Sequence, residues 1–345
     1  MAKPEDMIRD GDVSQVINPN AVTTPVQMLY APIQEHLNAA EIVLKRELHS
    51  KSPFVDDLLQ YGGQLGGKRL RPALLLLTAT ATGDVTSDHH TLAAVLEMIH
   101  TATLVHDDVL DEADMRRHLA TVNARWNNES SVLLGDYLFS HAFFLASTLE
   151  STYACRRIGL STNIVCEGEL RQVGNRGNHA LSEEEYYAII NGKTAELCAC
   201  ACHLGARYAM ASPDRIEGME RYGRHLGMAF QIADDLLDLT GDESDTGKSL
   251  GTDLDKQKPT LPIIRLYAKL SESDRNRLVT LIESSEAEDR ASLRAWLVES
   301  GSIEEARETA DRFGEKARKE LEEIPASSAK TVLNEIASYV VNRKS

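Results

Sequence analysis

The 345-residue sequence has no run of about 18 apolar residues, so no segment is expected to cross a bilayer as a helix. Met1 to Val22 is charged and lacks the apolar core of roughly 7–15 residues that a signal peptide needs. Cations are in deficit, with 37 Lys+Arg against 53 Asp+Glu and a formal net charge of −16. That balance excludes general nucleic-acid binding, which needs a basic footprint. It leaves room for small anionic ligands, which need only a local basic cluster. Cysteine is sparse: five in all, an odd number, with no Cys-x-x-Cys pair. The expectation is reduced thiols in a cytoplasmic protein. Cys198, Cys200 and Cys202 fall on a helical run where Cys200 points away from the other two. They read as small helix-packing residues rather than a metal cluster.

Strand-like alternation is also rare, and Ala/Leu/Glu/Arg-rich runs dominate. The sequence predicts an all-α chain with helices over roughly 25–49, 69–82, 87–114, 129–150, 152–174, 183–211, 213–240, 259–271, 273–285, 288–299, 302–323 and 328–343. Ser182 to Glu185 and Ser302 to Glu305 fit capping boxes, and Ser212-Pro213 fits a cap followed by proline at the first helical position. No low-complexity linker and no fixed-period repeat divides the chain. One domain over 23–345 is expected, preceded by a flexible arm over 1–22. Two loops stand out, Tyr61 to Lys68 (glycine-rich) and Gly241 to Pro259 (rich in Gly, Asp and Lys).

The strongest chemical signal is a duplicated D-D-x-x-D: Asp107, Asp108, Asp111 and Asp234, Asp235, Asp238. On a helix the first and fifth positions share a face, so their charges repel. Hard oxygen ligands packed this closely suit Mg²⁺, which keeps several waters and bridges to phosphate oxygens. One such string among 53 acids reads as a solvated face. Two, each following an apolar helical run, point to metal.

Cations flank both motifs. Gly67-Lys68-Arg69-Leu70-Arg71-Pro72 opens a helix, Arg116-Arg117 follows the first motif, and Lys248 and Lys258 follow the second. Aspartates holding Mg²⁺, with Lys and Arg neutralising the remaining oxygens, suit a diphosphate. His100 lies two helical turns before Asp107 on a similar face, and Gln231 shares a face with Asp234. Two other strings fail on inspection. Gly62 to Lys68 begins like a P-loop but continues into Arg69 rather than Ser/Thr, and Asp111 to Asp114 spells D-E-A-D without a nucleotide loop.

Taken in order, six segments resemble the trans-polyprenyl diphosphate synthases of the isoprenyl diphosphate synthase family. They are Gly66 to Pro72, His100 to Asp108, Asp111 with Arg116-Arg117, Lys193-Thr194, Phe230 to Asp238, and Lys258 to Pro262. The resemblance covers roughly residues 25–343. It implies an all-α, isoprenoid synthase-type bundle of roughly 10–13 helices around a central cavity, and a homodimer. It implies head-to-tail (1′-4) condensation of isopentenyl diphosphate with an allylic diphosphate. By the same resemblance the six aspartates hold two or three Mg²⁺ ions and, with Lys193, form the catalytic set. Lys68, Arg71, His100 and Arg117 match positions that bind isopentenyl diphosphate. Arg116, Lys193, Thr194, Gln231, Lys248 and Lys258 match positions that contact the allylic substrate.

In the family, residues upstream of the first motif form the cavity floor. Here Ala102 and Thr103 leave the shaft open near the motif, which implies a medium or long product (C30–C40) for a quinone side chain. Met98, Ile99 or Leu145 is then a candidate floor. The alternatives are a shorter-chain farnesyl or geranylgeranyl diphosphate synthase, a terpene cyclase, and a non-catalytic regulatory subunit. The full second D-D-x-x-D and the intact cation set argue against the last two.

Overall fold

The computed structural model describes residues 28–240, 252–284 and 286–342. The arm expected over 1–22 and Lys248 lie outside them. A short 3-10 turn, Ala31–Ile33, leads into α1 (Gln34–Glu47), α2 (Pro53–Gln64), α3 (Leu70–Thr82) and α4 (Ser87–Leu110). A two-residue antiparallel ribbon follows, β1 (Met115–Arg116) with β2 (Leu119–Ala120). Then come α5 (Val122–Arg125), α6 (Asn128–Ser147), α7 (Tyr153–Gly174) and α8 (Glu183–Ile190). A π-helical turn, Asn191–Ala195, joins α8 to α9 (Glu196–Tyr208), and the long α10 (Pro213–Thr240) follows. The chain closes with α11 (Thr252–Asp255), α12 (Leu261–Lys269), α13 (Glu272–Glu283), α14 (Ala287–Glu299), α15 (Ser302–Glu320) and α16 (Ser328–Asn342). Among the described residues the ribbon is the only sheet, and no helix is long and apolar enough to cross a membrane.

Three local expectations change. The first part of the expected Tyr61 to Lys68 loop is helical. Pro53 sits at the first position of α2, and the helix buries Leu58, Leu59 and Tyr61, so packing carries it through Gly62 and Gly63. The expected 87–114 helix stops at Leu110, and Arg116 and Arg117 fall on the ribbon instead. Arg117 (φ 51°) and His118 (φ 65°) are both left-handed, as a tight two-residue hairpin requires. The expected 183–211 helix is interrupted by the π-turn.

Two apolar clusters form the core. The larger joins α1–α4, α6, α7, α9, α16 and the first half of α10. The smaller joins α8, α12–α15 and the second half of α10, through Met228, Ile232 and Leu236. Helix α10 therefore runs through both, and its last turns carry the second acidic motif. Cys198, Cys200 and Cys202 are all buried on α9. A Cβ at Gly223 of α10 would stand 2.4 Å from the Cys198 carbonyl oxygen, so this helix pair needs small residues at its contact. Burial pushes the Cys200 thiol up to about 11, well removed from a reactive thiolate.

Candidate active site

The first motif occupies the C-terminal end of α4, where the helix dipole disfavours acids. Each aspartate there has a cation. Arg116, brought back by the ribbon, spans both Asp108 oxygens with Nε (2.9 and 3.1 Å) and places Nη2 2.8 Å from Oδ1. Asp111 pairs with Lys256 (3.0 Å), Lys258 (3.1 Å) and Arg176 (3.2 Å). Lys193 Nζ lies 3.7 Å from Asp107 and 2.6 Å from Glu169. Burial pushes the Asp108 carboxyl up, despite Arg116. Burial acts the same way on Asp111, but Lys258 and Lys256 outweigh it and hold the carboxyl below its usual range. Lys193 is half-buried, and desolvation opposes its charge, yet Asp107 and Glu169 raise its pKa and keep it charged.

The second motif lines a cleft of about 260 Å³ with Lys193, Gln231, Asp253 and Lys258. Asp235 is buried, accepting 2.7 Å hydrogen bonds from the Tyr186 hydroxyl and from Gln231 Nε2. Thr194 donates to Gln231 Oε1 at 2.7 Å, which fixes the amide so that it presents its nitrogen to Asp235. Asp238 accepts the Asp253 backbone N–H at 3.1 Å. Lys193 and Lys258 join the two motifs: each lines the cleft of the second and pairs with the first.

These donors fit a hard divalent cation. Burial, then the charge of Asp253, pushes the Asp235 carboxyl well above the usual range. Burial, with Asp238 and Asp234 beside it, pushes Asp253 up to about 6. The cleft sets the carboxyls of Asp234, Asp235, Asp238 and Asp253 beside two lysines, Lys193 and Lys258, an arrangement that a bound cation would favour in its ionised form. Among the described residues no three acidic, His or Cys side chains converge as a closed metal cage. Mg²⁺ needs no such cage, because it retains waters and takes substrate oxygens.

The third group is the cationic cradle. Arg69 and Arg71 stand two apart but differ in role. Arg69 is neutralised by Glu41 (2.5 Å) and by the buried Glu97 (2.6 Å). The buried Nε of Arg71 has no hydrogen-bond partner. Arg117 donates to the Leu65 carbonyl at 3.1 Å. A Cβ at Gly67 would stand 2.2 Å from the Arg117 guanidinium, so the glycine is what lets Arg117 lie against the loop of Lys68. Burial, then the field of Arg71, Arg117, Arg116 and Arg69, holds His100 neutral, well below the ordinary imidazole range.

Met98, Ile99 and Ala102 are wholly buried in the larger core, Leu145 nearly so, and Thr103 is half-buried, donating to the His100 carbonyl at 2.7 Å. None of the five lines the cleft. Sequence reasoning missed Tyr186, Glu169, Asp253, Lys256 and Arg176. Only Asp253, in Thr252 to Asp255 after a Gly- and Lys-rich segment, carries a local acidic signal.

An all-α frame with two D-D-x-x-D motifs, joined by lysines across one cleft, defines a prenyltransferase of the isoprenoid-synthase fold. The family model described as polyprenyl synthetase matches residues 52–299. The octaprenyl diphosphate synthase of Escherichia coli K12 is 36% identical over 311 residues, covering 89% of this chain and 94% of that protein. The crystal structure of a decaprenyl diphosphate synthase from Rhodobacter capsulatus superposes with a TM-score of 0.88 at 35% identity, covering 93% of this chain and all of that one (100%). The polyprenyl synthase of Caulobacter crescentus CB15, complexed with calcium and isoprenyl diphosphate, gives 0.86 at 32% identity, covering 94% of this chain and 99% of that one. The chain belongs to the polyprenyl synthetase family and is a trans-polyprenyl diphosphate synthase.

Proposed function

We propose that this chain condenses isopentenyl diphosphate head-to-tail (1′-4) with an allylic diphosphate, with Mg²⁺ as the metal, and extends the product to C30–C40 for a quinone side chain. The observation that carries the reading is the bridging by Lys193 and Lys258, which makes the two acidic motifs one site. Lys68, Arg71, Arg117 and neutral His100 hold the diphosphate of isopentenyl diphosphate. Arg116, Lys193, Thr194, Gln231 and Lys258 hold that of the allylic substrate, with Lys248 from the segment outside the described residues. The allylic C–O bond breaks, a C–C bond forms to the terminal carbon of isopentenyl diphosphate, and a proton leaves. Bound Mg²⁺, on the order of two or three ions, supplies positive charge for the departing diphosphate. The lysines and arginines are fixed before reaction and lower the barrier by preorganised electrostatics. No dedicated protein base stands out among the described residues, and the released diphosphate would take the proton.

A long product requires a path beyond the cleft, past Ala102 in the larger core; the small side chain there is the basis of the length reading, with Met98, Ile99 or Leu145 as the floor. Exposed Leu133 and Phe144 on α6, with Leu160 and Leu170 on α7, support a homodimer through those helices. We place the enzyme in the cytoplasm, where its five thiols stay reduced. The test is transfer of labelled isopentenyl diphosphate to farnesyl diphosphate, with and without Mg²⁺. Metal-dependent incorporation is expected. Hydrocarbon released without isopentenyl diphosphate would mean a cyclase, and no turnover with metal and both substrates would mean a regulatory subunit.

A further inference from the structure

The π-turn Asn191–Ala195 carries Lys193 and Thr194. Its signature is the Glu196 N–H donating to the Asn191 carbonyl five residues back. A π-turn is rare and survives only where surroundings hold it. Here α7 and α10 make room for it. A Cβ at Gly168 would stand 2.6 Å from the Lys193 nitrogen, and one at Gly227 would stand 2.4 Å from the Ala195 Cα.

One side chain spans the same five residues. Arg224 of α10 donates from Nη1 to Asn191 Oδ1 at 2.9 Å, and the same nitrogen lies 2.9 Å from Glu196 Oε2 as an ion pair without hydrogen-bond alignment. Its Nη2 reaches Glu220 at 3.2 Å. Glu196 is 1% exposed, and its other oxygen takes Arg157 and the Ser161 hydroxyl, each at 2.8 Å. The first residue of the turn and the first residue after it are thus tied together by one guanidinium. Losing the extra residue of the turn would re-phase α8 against α9 by about 100°, which would carry Lys193 away from Asp107 and Thr194 away from Gln231.

We propose that Arg224 is a positioning residue: it clips the π-turn closed and thereby fixes Lys193 and Thr194 between the two acidic motifs. The proposal rests on the allylic-substrate role given to Lys193 above. Two readouts test it together. Hydrogen exchange over 189–198 reports the clip itself, and a double-substitution cycle with Lys193→Ala reports what the clip acts through. Arg224→Met is expected to speed exchange at the Glu196 amide and to lower kcat/KM for the allylic diphosphate about 10–100-fold. The KM for isopentenyl diphosphate should stay within about twofold, and in the Lys193→Ala background the same change should cost less than about twofold. Arg224→Lys, which keeps the charge but loses the fork, should fall between. Should Arg224→Met fail to fold, Asn191→Ala removes one arm of the clip and should show the same pattern, smaller. Unchanged exchange, or a full further loss in the Lys193→Ala background, would overturn the proposal. Full activity of Lys193→Ala alone would overturn the role of Lys193 instead, leaving the exchange result to decide the clip.

Discussion

Lys258 Nζ stands 3.1 Å from Asp111 Oδ2, an ion pair across 147 residues of chain. It links the end of α4 to the segment just before α12, so the first acidic motif is completed by residues beyond the second. The pair is half-buried and shared with Lys256 and Arg176. Three cations are therefore gathered on one carboxylate at the end of α4, and under the proposed function they need little reorganisation to meet a diphosphate.

Asp107→Ala and Asp111→Ala remove carboxylates from this site while leaving the apolar core untouched. Each is expected to lower kcat by at least about 10²–10³-fold. Circular dichroism and the melting temperature should show an intact fold. Steady-state kinetics at saturating Mg²⁺ checks this, and unchanged turnover would defeat the metal assignment.

Tyr186→Phe deletes one hydrogen bond to the buried Asp235 and leaves the ring in the smaller core. A loss of about 10-fold in allylic kcat/KM is expected, with about 1 kcal/mol or less of stability at stake. Isopentenyl diphosphate KM should be unaffected, because Tyr186 lines the cleft of the second motif and none of Lys68, Arg71, His100 and Arg117 does. Equal losses for both substrates would argue for a general structural role.

Gly67→Ala tests the cradle. The atom its Cβ meets is the far end of a long side chain, so Arg117 swings aside and the fold survives. The expected outcome is a raised KM for isopentenyl diphosphate, about 10-fold, with allylic KM and melting temperature nearly unchanged. A collapse in stability would mean that the loop itself cannot yield.

Glu220 gives a pH prediction. The hydrogen bond from His203, then Arg157, outweighs burial and draws its carboxyl down to about 2. A depressed carboxyl stabilises the fold above its unfolded pKa, and that contribution is lost as pH falls through the folded value. Glu220→Gln should therefore cost about 2 kcal/mol near neutral pH, with the gap to the parent protein closing between about pH 4.5 and 2. Chemical denaturation across that window checks the sign. A gap that widens on acidification would contradict it.

The parts legible in the sequence are those whose chemistry is local. D-D-x-x-D places two acids on one helical face by spacing alone, and its repetition gave the metal reading. The resemblance singles out Arg71 over Arg69 in the K-R-L-R string, but the physical difference is invisible there, because Glu41 and Glu97 reach Arg69 only through tertiary packing. Tyr186, Glu169 and Asp253 enter the site the same way. Helix α2 was hidden by Gly62-Gly63, where packing overrides propensity. The π-turn has no propensity signature, since i→i+5 bonding is imposed by what surrounds it. Residues 115–120 fall between the helices expected over 87–114 and 129–150, and only the paired left-handed residues Arg117 and His118 give the ribbon away.

The most direct measurement of the central claim is the size of the limit product. Purified enzyme is incubated with farnesyl diphosphate, labelled isopentenyl diphosphate and Mg²⁺, and the products are dephosphorylated and sized. A ladder ending at C30–C40 is expected, shortened when Ala102 is replaced by Tyr. A parent product that stops at C15 or C20 would contradict it.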